Sequence, residues 1–185
     1  MTVLWIVLAV VVVLLLWAVL AYNSLVRLRN EADQGWANID VQLKRRADLI
    51  PNLVETVKGY ASHERETFDE VTRARAALQQ AQTPAEASVA NAQAQAATGK
   101  LIAVAEAYPE LKASQNFLAL QEELTDTEDK IAAARRYYNA TVLRFNTKQQ
   151  SFPTLLVAGP TGFHEKELFE LADAADAQPV QVTLQ

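Results

Sequence analysis

Cysteine is absent from all 185 residues. That removes disulfides, thiolate metal sites, a cysteine nucleophile and a lipidated cysteine. It leaves the compartment open, because exported and cytosolic proteins alike can lack the residue. Glycine and proline are scarce, at 5 and 6 residues, and beyond residue 22 long β-branched runs are scarce too. The remainder is rich in Ala, Gln, Glu, Lys, Arg and Leu, a helix-forming composition. The net charge of −5 argues against a general nucleic-acid binder, which needs a basic face. No glycine-rich phosphate loop, Gly-x-Ser-x-Gly elbow or kinase motif set occurs.

One apolar run stands against these absences. Residues 3–21 read VLWIVLAVVVVLLLWAVLA without interruption. As a helix the run rises about 28 Å, close to a hydrocarbon core of about 30 Å. Trp5, Trp17 and Tyr22 fall near its two ends, where aromatic side chains favour the membrane interface. A cleaved signal peptide would have a positive start, a shorter apolar core and a small-residue cleavage site. No basic residue precedes this run and it is too long, so an uncleaved anchor is expected, with the lipid bilayer as partner of residues 3–21. Arg27 and Arg29 follow it, and the positive-inside rule alone would put the C-terminal side in the cytoplasm.

After the anchor, apolar residues recur in steps of three and four: Leu25, Leu28, Ala32, Trp36, Ile39, Leu43, Ala47 and Ile50. They form one helix stripe that needs partner helices to cover it. Pro51, with Asp48 placed like an N-cap before it, predicts a turn near 47–51 and a second helix over 51–82. Thr83 and Pro84 predict a capped third helix over 84–107, rich in Ala and Gln. Pro109 ends it. A fourth helix over 111–151 carries Phe117, Leu124, Ile131, Tyr138, Phe145 and Phe152, each seven apart, the mark of shallow-angle packing. Gly159, Pro160 and Gly162 make a turn-rich linker, and 163–171 could form a short amphipathic helix.

The expected fold is therefore all-α: an N-terminal transmembrane helix followed by a long antiparallel four-helix bundle. The division is an anchor over 1–22, a bundle over 23–153, a linker with a short helix over 154–172 and a disordered tail over 173–185.

The polar residues offer few constellations. His63-Glu64 invites a zinc reading, but a zincin needs a second His one turn after the Glu, and Thr67 stands there. The other His, His164, is a hundred residues away. His63 and Glu64 read better as polar positions beside a helix seam, with Glu64 placed to meet a basic residue. Lys44, Arg45 and Arg46 form one basic cluster, Arg135 and Arg136 another. Each could meet anionic lipid or an acidic partner, but interhelical ion pairing with residues such as Asp48 and Glu128 is the preferred reading. Asn139 and Asn146 lie seven apart beside the seam, where asparagine fixes register through a buried hydrogen bond. No catalytic set, metal site or cofactor site is expected.

Several blocks resemble the LemA family: Tyr22-Asn23-Ser24-Leu25-Val26, Trp36, the run from Arg45 to Val54, Val57-Lys58-Gly59-Tyr60 and His63-Glu64. Later blocks are Ala134-Arg135, Tyr138-Asn139, Phe145-Asn146, Phe152-Pro153, Gly162-Phe163 and Phe169-Glu170. The resemblance implies a bacterial membrane-anchored bundle of long helices, without enzymatic activity and without an established molecular function. Some relatives carry a lipoprotein cysteine just before the Tyr-Asn block, which puts their bundle outside the cytoplasmic membrane. Here Ala21 holds that place and a spanning helix replaces the lipid, so the family leans outward where the arginines lean inward.

Two roles follow as expectations. One is a scaffold at the bacterial membrane that self-associates or recruits another membrane or envelope protein. Its candidate surfaces are the 44–46 cluster, the 135–136 pair and the 160–171 segment. The other is a sensor or ligand-binding module holding a small molecule or peptide near Trp36, Tyr60 and Tyr138.

Overall fold

A single helix, α1, runs from Thr2 to Lys58 in the computed structural model, which describes residues 1–61 and 63–170. The helices that follow are α2 (Arg65–Gln80), α3 (Pro84–Glu106), α4 (Pro109–Lys112), α5 (Gln115–Gln150) and α6 (Leu155–Ala158). There is no strand among the described residues. The N-terminal part of α1 holds a stretch of mean hydropathy 3.2, none of it buried, that is long and apolar enough to cross a membrane. The chain is thus an all-α protein with one candidate membrane span.

The first difference from expectation is at Pro51. No turn forms at 47–51; α1 passes through the proline, and Asp48 is an exposed position inside the helix instead of its cap. Proline lacks the N–H that would bond to the carbonyl four residues back, so Ala47 is left with an unused acceptor. Arg75 of α2 supplies the donor: its Nε lies 2.8 Å from the Ala47 carbonyl oxygen. The chain reverses instead after Lys58, where Tyr60 and Ala61 both donate to Val57.

Two compact units divide the chain. One comprises Met1–Ala37 and Arg136–Leu168, the other Asn38–Arg135 and Phe169–Gln185.

In the second unit four long helices close a ring. Arg75 of α2 meets Ala47 of α1, Lys100 of α3 meets Glu70 of α2, Gln95 of α3 meets Glu128 of α5, and Arg45 of α1 meets Asp126 of α5. The connections 59–64 and 81–83 are short, as antiparallel helix neighbours require. Thr83 and Glu86 form a reciprocal capping box that starts α3, with Pro84 in its first turn. The buried face of α3 is made chiefly of Ala87, Ala90, Ala94, Ala97, Leu101 and Ala105. Small side chains let neighbouring helices approach closely, and alanine costs the helix nothing.

In the first unit only α1 and α5 are long. Glu31 pairs with Arg144 at 3.5 Å and Gly35 packs on Tyr138, so residue numbers rise on α1 as they fall on α5: the two are antiparallel. A Cβ at Gly35 would stand 3.2 Å from the Tyr138 Cα, so the approach of the two backbones depends on this glycine. Leu25, Phe145, Ala158 and Phe163 form the buried cluster.

The heptad of α5 is buried from Phe117 to Phe145, but Phe152 is 81% exposed, because α5 ends at Gln150. The helix expected over 163–171 does not form: residues 163–170 have no regular secondary structure. Side chains of α5 occupy the backbone groups that a helix would have paired internally, and Phe163 and Phe169 are buried six apart instead of at helical spacing. Gly162, at φ 74°, turns the chain into this strap. Leu171 and the expected tail at 173–185 lie outside the described residues.

Candidate functional site

Arg46 is the most deeply placed charge among the described residues of the second unit, at 3% exposure. It falls three residues after Leu43 and four before Ile50, so helical spacing turns it onto the buried seam. A buried guanidinium requires partners. Its Nη1 donates to Asn91 Oδ1 on α3 at 2.6 Å, and Nη2 stands 3.6 Å from Glu128 Oε2 on α5. Burial lowers its pKa from the ordinary arginine value, and the Glu128 carboxylate works in the opposite direction. Arginine nonetheless stays protonated throughout the accessible pH range.

The neighbouring residues serve the same seam from outside. Arg45 reaches Asp126 at 3.2 Å and Glu123 at 3.8 Å, both on α5. Asp126 also accepts from Lys130 at 2.7 Å, and that hydrogen bond, helped by Lys130 and Arg45 charge, holds its carboxyl below the usual range. Lys44 pairs within its own helix with Asp40 at 2.6 Å. The 44–46 cluster is thus used internally, with Glu128 as one expected partner but not Asp48, which is exposed. His63 is exposed and Glu64 is the residue before α2, with no side-chain cap; both lie in the turn between α1 and α2, not beside a seam. The missed break position at Pro51 explains the shift.

A cleft of about 530 Å³ opens between α3 and α5, lined by Arg46, Thr98, Gln121, Glu122, Thr125 and Glu128 among others. The Thr98 hydroxyl is buried there with no hydrogen-bond partner. Nothing in the stripe pattern marked this cleft, because Thr98 and Gly99 sit in the Ala-rich segment where apolar spacing is uninformative.

In the first unit the strap is held by named side chains. Asn146 uses both ends of its amide on Lys166: Nδ2 donates to the Lys166 carbonyl at 2.9 Å, and Oδ1 accepts from the Lys166 N–H at 3.0 Å. The Tyr138 hydroxyl donates to the Glu167 carbonyl at 2.7 Å. Lys166 Nζ pairs with Asp33 at 2.7 Å. Phe163 packs edge-on to Tyr22 and Phe145, with the Arg29 guanidinium 5.4 Å above its ring. Asn146 therefore fixes a non-helical segment, where helix register was expected. Burial, with the nearby Glu167 and Asp33 carboxylates, raises the Tyr138 pKa from 10.0 to about 12. Asn139 is partly buried and takes part in an interaction of its own.

Of the three aromatics expected around a ligand, Trp36 and Tyr138 pack on each other with ring centroids 6.0 Å apart. Tyr60 lies past the end of α1, half exposed, and belongs to the other unit. Among the described residues no group of His, Asp and Glu is placed to hold a metal ion.

Arg136 is exposed and Arg135 partly so, and neither has an ion pair among the described residues. Arg136, Tyr137, Ala140, Leu143 and Thr147 fall on one outward face of α5. Tyr137 and Leu143 are large and solvent-exposed.

Comparison with known proteins places these features in context. The model of the LemA family matches residues 35–184. Protein LemA of Metamycoplasma hominis is 30% identical over 152 residues, which is 82% of this chain and 69% of that protein. Magnetosome protein MamQ of Magnetospirillum gryphiswaldense is 25% identical, and magnetosome protein MamQ 2 of Paramagnetospirillum magneticum 26%. In both cases 84% of this chain is covered but only 66% of the relative, so the chain spans just under two thirds of their length.

Proposed function

This chain belongs to the LemA family, and on that premise we propose that it is a membrane-anchored helical scaffold that docks a protein partner, or a second copy, on the outer face of α5. Residues 1–22 serve as the anchor and 23–153 as the working domain. One observation carries the reading. Of the three surfaces that the sequence offers, the 44–46 cluster is engaged within its unit and the strap is packed on α5, which leaves Arg136, Tyr137 and Leu143 outward. Arginine and tyrosine are the residue types that dominate binding energy at protein interfaces, and tyrosine gives large contact area at low entropic cost. A role in assembly, with no catalytic step, is part of this reading.

The test is a photo-crosslinking residue at Tyr137 in the full-length protein in cells, with the same residue at exposed Gln79 of α2 as control. One discrete adduct at 137, abolished by Arg136→Glu, supports the scaffold. Equal, diffuse labelling at both positions, together with a monomeric mass in detergent, overturns it.

The reading places the bundle outside the cytoplasmic membrane. The Arg27 and Arg29 bias opposes this, but Arg29 has a second reason to be basic, its place over the Phe163 ring. Gln79→Cys in this cysteine-free chain reports the side. Labelling of intact cells by a membrane-impermeant thiol reagent supports the outside, and labelling only after lysis overturns it.

The α3–α5 cleft, with its unpaired Thr98 hydroxyl, supports a second reading, a module that binds a small polar ligand. A ligand-dependent rise in Tm that Thr98→Val removes would favour it over the scaffold.

A further inference from the structure

Residues 151–163, SFPTLLVAGPTGF, contain no charged side chain in a chain that is 21% charged. Three of their large apolar residues face outward: Phe152 at 81% exposure, Leu155 at 51% and Leu156 at 62%. They sit on one turn around α6, while Ala158 of the same turn is buried against Leu25 and Phe145. A patch of this kind in water is a liability unless something covers it.

Its height along α1 says what covers it. Phe145 and Leu25 belong to one cluster, and α5 runs antiparallel to α1. The five residues from Phe145 to Gln150 therefore carry the chain about 7.5 Å back toward the anchor, to the level of the last turn of the apolar run. Cover on α1 begins at that level: Trp17 and Ala18 are partly buried and Ala21 is buried, all on the face that continues to Leu25. Tyr22, which packs on Phe163, and Trp17 are the aromatic residues expected at the interface there.

We propose that the α6 turn is a second membrane contact, with Phe152, Leu155 and Leu156 inserted into the acyl-chain boundary of the leaflet from which α1 emerges. The spanning helix and the turn then dip into the same leaflet side by side, and the unit made of Met1–Ala37 and Arg136–Leu168 is held at two points instead of one. A second point resists rotation about the axis of α1, which a single helix permits. The occupant is lipid because the patch continues the surface that the anchor already gives to lipid, and because the turn carries no charge to keep it out.

The experiment uses the full-length chain in liposomes of phosphatidylcholine with a minority of phosphatidylglycerol. Leu156→Cys carries an environment-sensitive fluorophore, Phe152→Cys gives an independent position, and Gln79→Cys on exposed α2 is the control. All three sites are exposed, so folding is not at stake, and matching melting curves check it. A face buried by about 5–10 Å should give blue-shifted emission at 156 and 152 that falls about twofold with acyl-brominated lipid, with no change at 79. Emission at 156 and 152 that matches 79 and is quenched equally by aqueous iodide overturns the proposal. Emission that is blue-shifted but insensitive to bromination, and that reverts as protein is diluted into excess lipid, also overturns it, because a second copy is then the cover.

Discussion

In the unit built from Met1–Ala37 and Arg136–Leu168, two helices have only each other, and large rings fill what they cannot close. Phe145, Phe163, Tyr22, Trp36 and Tyr138 are in ring contact there, and a strap with no regular secondary structure brings one of them in. In the unit built around Asn38–Arg135, four helices close on themselves, and α3 needs little more than alanine on its buried face. Two helices leave a wide gap that aromatic rings and an extra segment fill, whereas α3 draws close to its neighbours over small residues, the other helices supplying large ones such as Phe68 and Phe117. Stability in the first unit should thus fail by loss of volume, and at the α3 face of the second by its addition.

The largest expected effect breaks the first half of that comparison. Phe145 is 1% exposed, and Phe145→Ala should cost about 3–5 kcal/mol, read by hydrogen exchange of α5 and the strap in detergent. Ala94→Leu tests the other half. Ala94 has no exposure, so three added carbons have nowhere to go, and a loss of about 1–3 kcal/mol is expected, seen as faster exchange in α3. If Ala94→Leu were neutral, the four-helix unit would hold unfilled space and the comparison would fail.

A smaller effect sharpens the role of the strap. Asn146→Ala removes both bonds to Lys166, and water can replace part of them, so a cost of about 1 kcal/mol is expected. Exchange should rise at the Lys166 amide with helix content unchanged. The smallest effect is nil at neutral pH. Tyr138 is neutral in both states below pH 10, but between about 10 and 12 the unfolded phenol ionises while the folded one does not. Stability should be complete below pH 10 and fall as pH rises through 12, with Tyr138 ionising later than an exposed tyrosine in a phenolate absorbance titration.

The helices were largely legible because their signals are local. The α5 heptad is buried from Phe117 to Phe145, and the Thr83-Pro84 start of α3 stands where its capping chemistry puts it. What sequence reading missed depends on contacts far along the chain. Pro51 reads as a break because its local effect is to remove a bond, and the compensating donor is 24 residues away. The strap reads as an amphipathic helix because Phe163, Leu168 and Phe169 suit one, while the side chains that claim its backbone belong to α5. Arg46 reads as one of three basic residues suited to interhelical ion pairing, and only its place between Leu43 and Ile50 marks it as the buried one. Asn146 was legible as a polar fixture but not for what it fixes. The outward face at Arg136, Tyr137 and Leu143 came to notice only through its arginines, since exposure of an apolar residue has no sequence signal.

The bond from Arg75 to the Ala47 carbonyl makes two distant positions depend on each other. A chain with proline at 51 carries an unmet acceptor inside its longest helix, and only a donor reaching across from α2 meets it. Any other residue at 51 restores its own N–H and releases position 75 from that duty. Substitution at these two sites is therefore ordered: Arg75 becomes dispensable only after Pro51 has gone, and related chains that have lost the proline should vary freely at 75.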